Sequence, residues 1–180
     1  MRILAFAASN SSRSINGRLV AYATRLLEDG LIADAVVEVL DINDYEMPIY
    51  SVDRQDAGGV PDLAHRFFDK IGAADALVIS FAEHNGYYTA AYKNLYDWVS
   101  RIDRAVYQGK PMVLFSTSPG SRGASGVLER SVEVAERQGS DVRASLSLPS
   151  FNDNFDAETG ALVSGDFDDA FRKALATLSA

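Results

Sequence analysis

The chain contains no cysteine and only 2 histidines among its 180 residues. Without a thiol there is no disulfide, no thiolate metal site and no cysteine nucleophile. The two histidines, His65 and His84, lie far apart in the sequence and outside any metal-ligand spacing, so zinc would lack a ligand set. We therefore expect no bound metal, and cysteine usage sets no requirement on the redox compartment.

Positive charge and long apolar segments are also scarce. The chain has 17 Lys and Arg against 25 Asp and Glu, a formal net charge of -8, which disfavours binding to nucleic acid or to an anionic membrane. The apolar run near the N-terminus stops at Ser9 after about six residues, too few for an export signal or for a transmembrane helix. We expect a cytoplasmic protein that binds neither nucleic acid nor membrane.

The sequence does have an alternation of short apolar runs and longer amphipathic stretches. The apolar runs predict five strands, at residues 3–8, 36–42, 76–81, 112–116 and 142–148. The first four are apolar enough to be covered on both faces, whereas the last alternates and fits an edge strand. Helical periodicity predicts helices at about 16–29, 61–73, 91–99, 123–138 and 167–178. Residues 53–59 and 150–166 are predicted to be long loops.

Five strands that alternate with helices predict one domain over residues 1–180, built as a doubly wound three-layer α/β sandwich. Because right-handed crossovers dominate, we expect a five-stranded parallel sheet with strand order 2-1-3-4-5. Ligands of such sheets bind beyond the carboxyl ends of the strands, at the point where the strand order reverses. The segments after the first, third and fourth strands are therefore the candidate site.

The segment after the first strand, residues 9–16, is rich in hydrogen-bond donors. It holds four hydroxyls, two amides and one guanidinium, and it leads into a predicted helix. The unpaired N-H groups and positive dipole end of a helix N-terminus bind anions, and these side chains add further donors. Because a helix N-cap alone needs one such residue, the segment predicts a site for a phosphate monoester.

The segments after the third and fourth strands offer surfaces for a flat ring. After the third strand, Asn85 and Gly86 permit close backbone approach, and the neighbouring His84, Tyr87 and Tyr88 supply rings. After the fourth strand, Gly120 and Gly123 also permit close approach of the backbone to a flat ligand. The N-terminus of the predicted helix that follows them can stabilise negative charge. Together these segments predict a site for a planar heteroaromatic group that carries a phosphate.

A hydrolase is a different interpretation of the same segments. Ser9 or Ser118 with His84 would supply a nucleophile and a base at one end of the sheet. The G-x-S-x-G elbow that usually presents such a serine is absent from the sequence. The hydrolase is therefore the weaker interpretation.

One predicted helix carries charged and aromatic residues together. Lys93 and Asp97 are one helical turn apart and can pair, either within the subunit or at an interface between subunits. The aromatic residues Tyr92, Tyr96 and Trp98 are more than the surface of a monomer usually shows, and they favour a dimer contact.

The three segments together resemble the NADPH-dependent FMN reductase family of the flavodoxin-like superfamily, which includes quinone, azo-dye and chromate reductases. The family's phosphate loop, G-S-x-R-x-x-S-x-N, aligns with the segment after the first strand. Ser9, Ser14 and Asn16 match it, whereas an alanine replaces the Gly and Ser11 replaces the Arg. Arg13, two residues further on, is the candidate replacement for that guanidinium.

The family's second motif, P-E-Y-N-x-S-x-P-G-x-L-K-N-x-x-D-W, follows the third strand. The chain matches it at Glu83, Asn85, Lys93, Asn94, Asp97 and Trp98. It departs from the motif at Ala82 and His84, which stand where the family has Pro and Tyr. The family's S-P-G-G-x-G-G loop is represented by residues 118–124.

This resemblance implies the flavodoxin-like fold, FMN as the cofactor and NADPH or NADH as the co-substrate. The FMN phosphate would be held by the first segment, through Ser9, Ser11, Arg13, Ser14, Ile15 and Asn16. The ring would be lined on one side by Glu83, His84, Asn85 and Gly86, and on the other by Ser118, Pro119 and Gly120. The flavin itself carries the chemistry, so no side chain is assigned a catalytic role.

The resemblance further implies ping-pong hydride transfer, from the nicotinamide to the flavin and then to a small acceptor such as a flavin or a quinone. Family members are commonly homodimers or homotetramers. The alternative is a flavodoxin, an electron carrier that does not itself oxidise NAD(P)H and whose acidic surface suits a basic redox partner. Flavodoxins lack the motif that ends at Trp98, which favours the reductase.

Overall fold

The computed structural model describes residues 1–179 of the chain. Its strands are, in chain order, β1 (Arg2–Ala8), β2 (Val36–Leu40), β3 (Ala76–Phe81), β4 (Glu83–His84), β5 (Tyr87–Tyr88), β6 (Pro111–Thr117), β7 (Asp141–Leu148), β8 (Phe155–Asp156) and β9 (Ala161–Leu162). Its α-helices are α1 (Ile15–Leu26), α2 (Val52–Gly58), α3 (Asp62–Ala73), α4 (Ala90–Val99), α5 (Ser125–Arg137), α6 (Phe151–Asn154) and α7 (Gly165–Ala176). Short turns of wider or tighter helix lie at Leu27–Leu31, Ile42–Tyr45 and Thr177–Ser179.

Five of the strands form one parallel sheet in the order β2-β1-β3-β6-β7. Counted along the chain this is the predicted order 2-1-3-4-5, and the flavodoxin-like fold is confirmed. The carboxyl ends of the central strands are level, since Ala8 of β1 pairs with Phe81 of β3 and Phe81 pairs with Ser116 of β6. The loops that follow these three strands therefore start side by side.

Helices cover the sheet on both faces because the side chains of its central strands alternate between two cores. In β1, Leu4 and Phe6 pack with α3, α4 and α5, whereas Ile3 and Ala5 pack with α1 and α7. Every residue of β3 is buried. The result is the three-layer sandwich that continuous apolar strands predict.

The prediction that the second strand is covered on both faces is wrong. β2 ends at Leu40 and lies at the edge of the sheet, where Val36 and Val39 are 65% and 53% exposed. β-Branched composition marks a strand, but it does not show whether neighbouring elements cover that strand. β7, the other edge strand, alternates between exposed and half-buried residues as predicted.

Both predicted long loops contain regular structure, so those predictions are also wrong. Residues 53–59 lie mostly in α2, which begins after its N-cap Ser51 and buries none of its own residues. Because α2 has no buried face, it lacks the apolar periodicity that would predict it. Residues 150–166 contain α6 and the hairpin formed by β8 and β9. The ring of Phe151 in α6 stacks on the ring of Phe155 in β8 and so connects the helix to the hairpin.

In the described part of the chain, no helix combines the length and apolar character needed to cross a bilayer.

Candidate functional site

A cleft of about 210 Å³ lies between the loops that follow β1, β3 and β6. Its lining comes from the first loop (Ser9, Ser11, Arg13, Ser14, Ile15 and Asn16), the second (Ala82, Glu83 and His84) and the third (Thr117, Ser118 and Pro119). The structure thus brings most of the predicted site residues together at the switch point of the sheet. A larger cavity of about 490 Å³ lies beside α3 and includes none of the predicted residues.

The lining of the cleft differs from the predicted set at five residues. Asn85, Gly86 and Gly120 are exposed and do not line the cleft. Ala82 and Thr117 do line it, although they were not predicted. Ala82 directly follows β3 and Thr117 is the last residue of β6, so the rule that ligands bind at the carboxyl ends of strands would have identified both.

Three serine hydroxyls of the first loop are oriented by backbone N-H groups of the same segment. Ser9 Oγ accepts from the N-H of Ser11 at 3.3 Å, Ser11 Oγ from Arg13 at 3.3 Å, and Ser14 Oγ from Gly17 at 3.1 Å. Each hydroxyl already accepts one hydrogen bond, and none has an acceptor for its own proton among residues 1–179. All three O-H groups are therefore available to donate to an anion.

The N-terminus of α1 adds further donors to this loop. Within the part of the chain that the structure describes, the N-H groups of Ile15 and Asn16 have no acceptor. The first turn of α1 contains no acidic residue, so the positive end of the helix dipole is not neutralised. Arg13 contributes an exposed guanidinium to the lining. This is the donor set that a phosphate monoester requires.

Asn16 has a different role from the one that the resemblance implies. Its buried side chain makes three hydrogen bonds inside the protein: Nδ2 donates to the carbonyl of Thr117 at 3.2 Å, and Oδ1 accepts from Ser80 Oγ at 2.8 Å and from the N-H of Thr117 at 3.1 Å. These bonds join the start of α1 to β3 and β6. The amide is therefore occupied within the protein, and only the main-chain N-H of Asn16 is left for a ligand.

β4 and β5 form a hairpin beside the cleft, with Asn85 and Gly86 at its turn. These two residues have φ of +54° and +80°, the positive values that a type I′ turn requires and that an Asn-Gly pair readily adopts. The sequence predicts that this pair permits close approach of a ligand, whereas in the structure it forms the turn of the hairpin. Within the hairpin, Glu83 and His84 line the cleft.

The carboxylate of Glu83 contacts α5. Its Oε2 accepts a hydrogen bond from the N-H of Val127, in the first turn of that helix, at 3.0 Å. Ala124, at the N-cap position, has a left-handed conformation with φ +63° and no side chain that can cap the helix. Glu83 thus supplies the cap that the local sequence lacks.

A buried cluster of tyrosines supports the hairpin from behind. The ring of Tyr88 packs against Tyr92 with centroids 5.3 Å apart, and the Tyr92 hydroxyl is hydrogen-bonded to that of Tyr107. Burial raises the pKa of Tyr88 and raises the pKa of Tyr92 and Tyr107 well above the usual value. These hydroxyls stay protonated at neutral pH, so the cluster is an uncharged support.

The second family motif holds the segment that follows β2. Asn94 Nδ2 donates to the carbonyl of Met47 at 3.0 Å, and Asn94 Oδ1 accepts from the N-H of Tyr50 at 2.8 Å. Trp98 Nε1 donates to the carbonyl of Pro48 at 2.7 Å. The Asn and Trp of the motif therefore have a structural role, because they fasten this segment to α4.

Lys93 and Asp97 of the same helix form the predicted ion pair, with Nζ and Oδ1 2.6 Å apart. The interpretation of the aromatic residues of α4 as a subunit contact is wrong for two of them. Tyr92 and Trp98 are each only 1% exposed and belong to the core, whereas Tyr96 is half-buried. Helical spacing turns these rings toward the sheet, as it does for any core-facing helix.

The third loop approaches β7 so closely that one position has to be glycine. Gly123 has φ +56°, and a Cβ there would lie 2.7 Å from the carbonyl oxygen of Leu148. The carbonyl of Gly123 accepts hydrogen bonds from Ser116 Oγ and Ser147 Oγ, each at 2.8 Å. These contacts fix the loop that forms the third wall of the cleft.

The geometry does not support the hydrolase. In the described residues His84 forms no hydrogen bond with Ser9 or Ser118, and the nucleophile and base of a hydrolase need such a bond. Ser118 Oγ instead faces the carbonyl of Gly120 at 3.5 Å. Most polar groups that line the cleft are hydrogen-bond donors.

A parallel sheet of this order, with a loop rich in hydrogen-bond donors at its switch point, defines a flavodoxin-like α/β protein. Solved structures share the fold. A flavoenzyme NAD(P)H:(acceptor) oxidoreductase from Paracoccus denitrificans superposes with a TM-score of 0.75 at 23% identity, over 99% of this chain and 95% of that one. A flavodoxin variant from Pseudomonas aeruginosa gives 0.61 at 16% identity, over 100% of both chains.

Sequence comparison gives the family. The profile of the NADPH-dependent FMN reductases matches residues 1–153, and the chain belongs to this family, which confirms the resemblance. An NAD(P)H-dependent FMN reductase of Pseudomonas aeruginosa is 31% identical over 125 residues, and a quinone reductase of Escherichia coli K12 is 26% identical over 125 residues. Each match covers 69% of this chain, and the chain spans 64% of the length of each relative.

Proposed function

We propose that the chain binds FMN in the cleft between the loops after β1, β3 and β6 and acts as an NAD(P)H-dependent oxidoreductase. The observation that carries this proposal is the donor set of the first loop. The hydroxyls of Ser9, Ser11 and Ser14 and the N-H groups of Ile15 and Asn16 have no acceptor in residues 1–179. Membership of the NADPH-dependent FMN reductases supports the same cofactor and reductant.

The residues of the cleft fit FMN in a defined way. The first loop and the N-terminus of α1 would bind the phosphate, because hydrogen bonds to an ionised acceptor are about twice as strong as neutral ones. The hairpin and the third loop would line the ring. When bound, the flavin supplies the redox chemistry, since it accepts hydride from a nicotinamide and passes electrons on. The protein's part is to orient the ring, to limit access of water and to hold the phosphate.

We also infer that NADPH or NADH is the reductant and that a flavin, a quinone or a similar small molecule is the acceptor. The names of the curated relatives support both classes. We infer a homodimer or homotetramer in the cytoplasm, formed by a chain that is a single domain over residues 1–180. This part of the proposal rests on the resemblance to the family, on the acidic composition and on the lack of long apolar segments in the sequence.

Anaerobic reduction of the FMN-loaded protein tests this function. We expect NADPH or NADH to bleach the flavin absorbance, a quinone to restore it, and steady oxidation of the nucleotide when both are supplied. A flavodoxin-type carrier would bind FMN and yet oxidise neither nucleotide, so the same assay separates the two functions. A protein that binds no FMN, or whose bound FMN neither nucleotide reduces, would contradict the proposal.

Adjacent serines provide a matched pair of variants for the phosphate site. Both serines are exposed, but only Ser11 lines the cleft, where its O-H proton has no acceptor among residues 1–179. A hydrogen bond to a charged group contributes about 1.5–3 kcal/mol, so Ser11→Ala should weaken FMN binding by about tenfold or more. Ser12→Ala should bind FMN as the unaltered protein does. Equal losses in both variants would contradict the assignment of the loop.

A further inference from the structure

Glu83 joins the two walls of the cleft that follow β3 and β6. Its backbone belongs to β4 of the hairpin, and its Oε2 accepts the N-H of Val127 in α5 at 3.0 Å. Gly126 lies beside this contact, and a Cβ there would be 3.3 Å from Oε2, closer than an ordinary contact. The first turn of α5 therefore leaves just enough room for the carboxylate.

Glu83 also brings a negative charge to this contact. It is the one carboxylate in the lining of the cleft, as far as the structure describes it, and it is half-buried. A helix N-terminus carries about half a positive charge, which an adjacent anion neutralises. The sequence predicts that the helix after the third loop stabilises negative charge in the site, but Glu83 already occupies that position.

The two helix N-termini at this edge of the sheet thus differ in whether a carboxylate neutralises their positive end. α1 has the neutral cap Ser14 and no acidic residue in its first turn, so its positive end is left for a ligand. α5 has no cap of its own and receives a charged one from another element. One terminus can bind an anion, whereas the other cannot favour further negative charge nearby.

We propose that Glu83 is a positioning residue that fixes the hairpin to α5, and that its charge makes the cleft bind reduced, anionic flavin less tightly than a neutral residue would. The inference rests on the proposed function. It assigns Glu83 two separable effects, a hydrogen bond that holds the hairpin in place and a charge that lowers the reduction potential of the flavin. A lower potential makes the reduced flavin a stronger donor to its acceptor.

Three variants separate these effects. Glu83→Gln keeps an oxygen that can accept from Val127 and removes the charge, whereas Glu83→Ala removes both. Glu136→Gln removes one charge from an exposed residue in the last turn of α5 and is the matched control. The measurements are the FMN dissociation constant, the midpoint potential of the bound flavin from anaerobic titration against a reference dye, and hydrogen exchange of the Val127 N-H in the FMN-free protein.

We expect Glu83→Gln to retain slow exchange at Val127 and to bind oxidised FMN within about threefold of the unaltered protein, because the hydrogen bond is kept. Its preference for reduced over oxidised flavin should rise by about tenfold, which is about 30 mV for a two-electron couple. Glu83→Ala should exchange the Val127 N-H at least about tenfold faster and bind FMN at least about tenfold more weakly. Glu136→Gln should behave as the unaltered protein in all three measurements.

A potential in Glu83→Gln equal to that of Glu136→Gln would overturn the assigned effect of the charge. Unchanged exchange at Val127 in Glu83→Ala would overturn the positioning role, and this result does not depend on FMN. If the unaltered protein bound no FMN, the proposed function and the flavin part of this inference would both be refuted. The exchange data would still decide whether Glu83 holds the hairpin.

Discussion

Asn16→Asp replaces one nitrogen by oxygen at the point where α1, β3 and β6 meet. The Asn16 side chain is only 2% exposed; its Nδ2 donates to the carbonyl of Thr117, and its Oδ1 accepts from Ser80 and Thr117. An ionised Asp keeps both accepted bonds but turns an oxygen toward the Thr117 carbonyl. A protonated Asp restores a donor there. The variant should therefore be unstable when its carboxyl is ionised and recover when the carboxyl is protonated.

The magnitude follows from the pKa shift that this environment imposes. A fully buried carboxyl can have its pKa raised by about 3–5 units, and we expect about 2–3 units here because two donors remain. At about 1.4 kcal/mol per unit, the variant loses about 3–4 kcal/mol at neutral pH. For a chain of this size 1 kcal/mol shifts Tm by about 2–4 °C, so Tm should fall by about 10 °C.

Thermal unfolding of the FMN-free proteins, followed by circular dichroism at about pH 4 and about pH 7.5, checks this prediction. Because the folded-state pKa is raised, the favourable contribution is present below the unfolded-state pKa and is lost as the pH rises through the folded-state pKa. The difference in Tm between variant and parent should therefore be large at neutral pH and small in acid. Asn10→Asp, the same change at an exposed residue of the same loop, should show little difference at either pH. A deficit in Asn16→Asp that is equal at both pH values, or larger in acid, would refute the reasoning.

Three further predictions concern stability. Gly123→Ala should cost about 3 kcal/mol or more in denaturant unfolding, because at φ +56° its Cβ would lie 2.7 Å from backbone atoms of β7. Gly120→Ala, where the nearest atom is 3.8 Å away, should be close to neutral, and equal losses would contradict the steric argument. Ser14→Ala removes the side-chain cap of α1 and should cost about 1 kcal/mol in the same assay, whereas unchanged stability would show that the cap is dispensable. Above about pH 10 stability should fall by about 1.4 kcal/mol per pH unit for each of Tyr92 and Tyr107, because burial raises the pKa of both and only the unfolded chain loses these protons. Unfolding measured against pH, with tyrosinate absorbance as the second signal, checks this, and stability that stays constant above that pH would contradict it.

The sheet could be predicted from the sequence because burial on both faces leaves a direct trace in the pattern of residues. The predicted strands at 3–8 and 76–81 nearly coincide with β1 and β3, and the handedness of crossovers then fixes the strand order. α2 shows no apolar periodicity in the sequence, since none of its residues is buried. Apolar periodicity reports a buried face, so a helix without one is read as a loop.

The site could be predicted as far as topology brings loops together. Long-range hydrogen bonds could not be predicted, because no local pattern encodes their partners. Asn16 bonds to Ser80 and Thr117, which are 64 and 101 residues away, and Glu83 caps Val127 from a distance of 44 residues. Two residues that the resemblance assigns to the ligand thus have their side chains engaged in holding the walls of the cleft.

The central claim is that the first loop binds the phosphate of FMN. Riboflavin has the same ring and ribityl chain but no phosphate, so the ratio of the two dissociation constants, measured by quenching of flavin fluorescence, tests the claim most directly. We expect FMN to bind at least about 100-fold more tightly than riboflavin, a difference of about 2.8 kcal/mol. The ratio should fall in Ser11→Ala and remain unchanged in Ser12→Ala. Equal affinity for the two flavins would contradict the account.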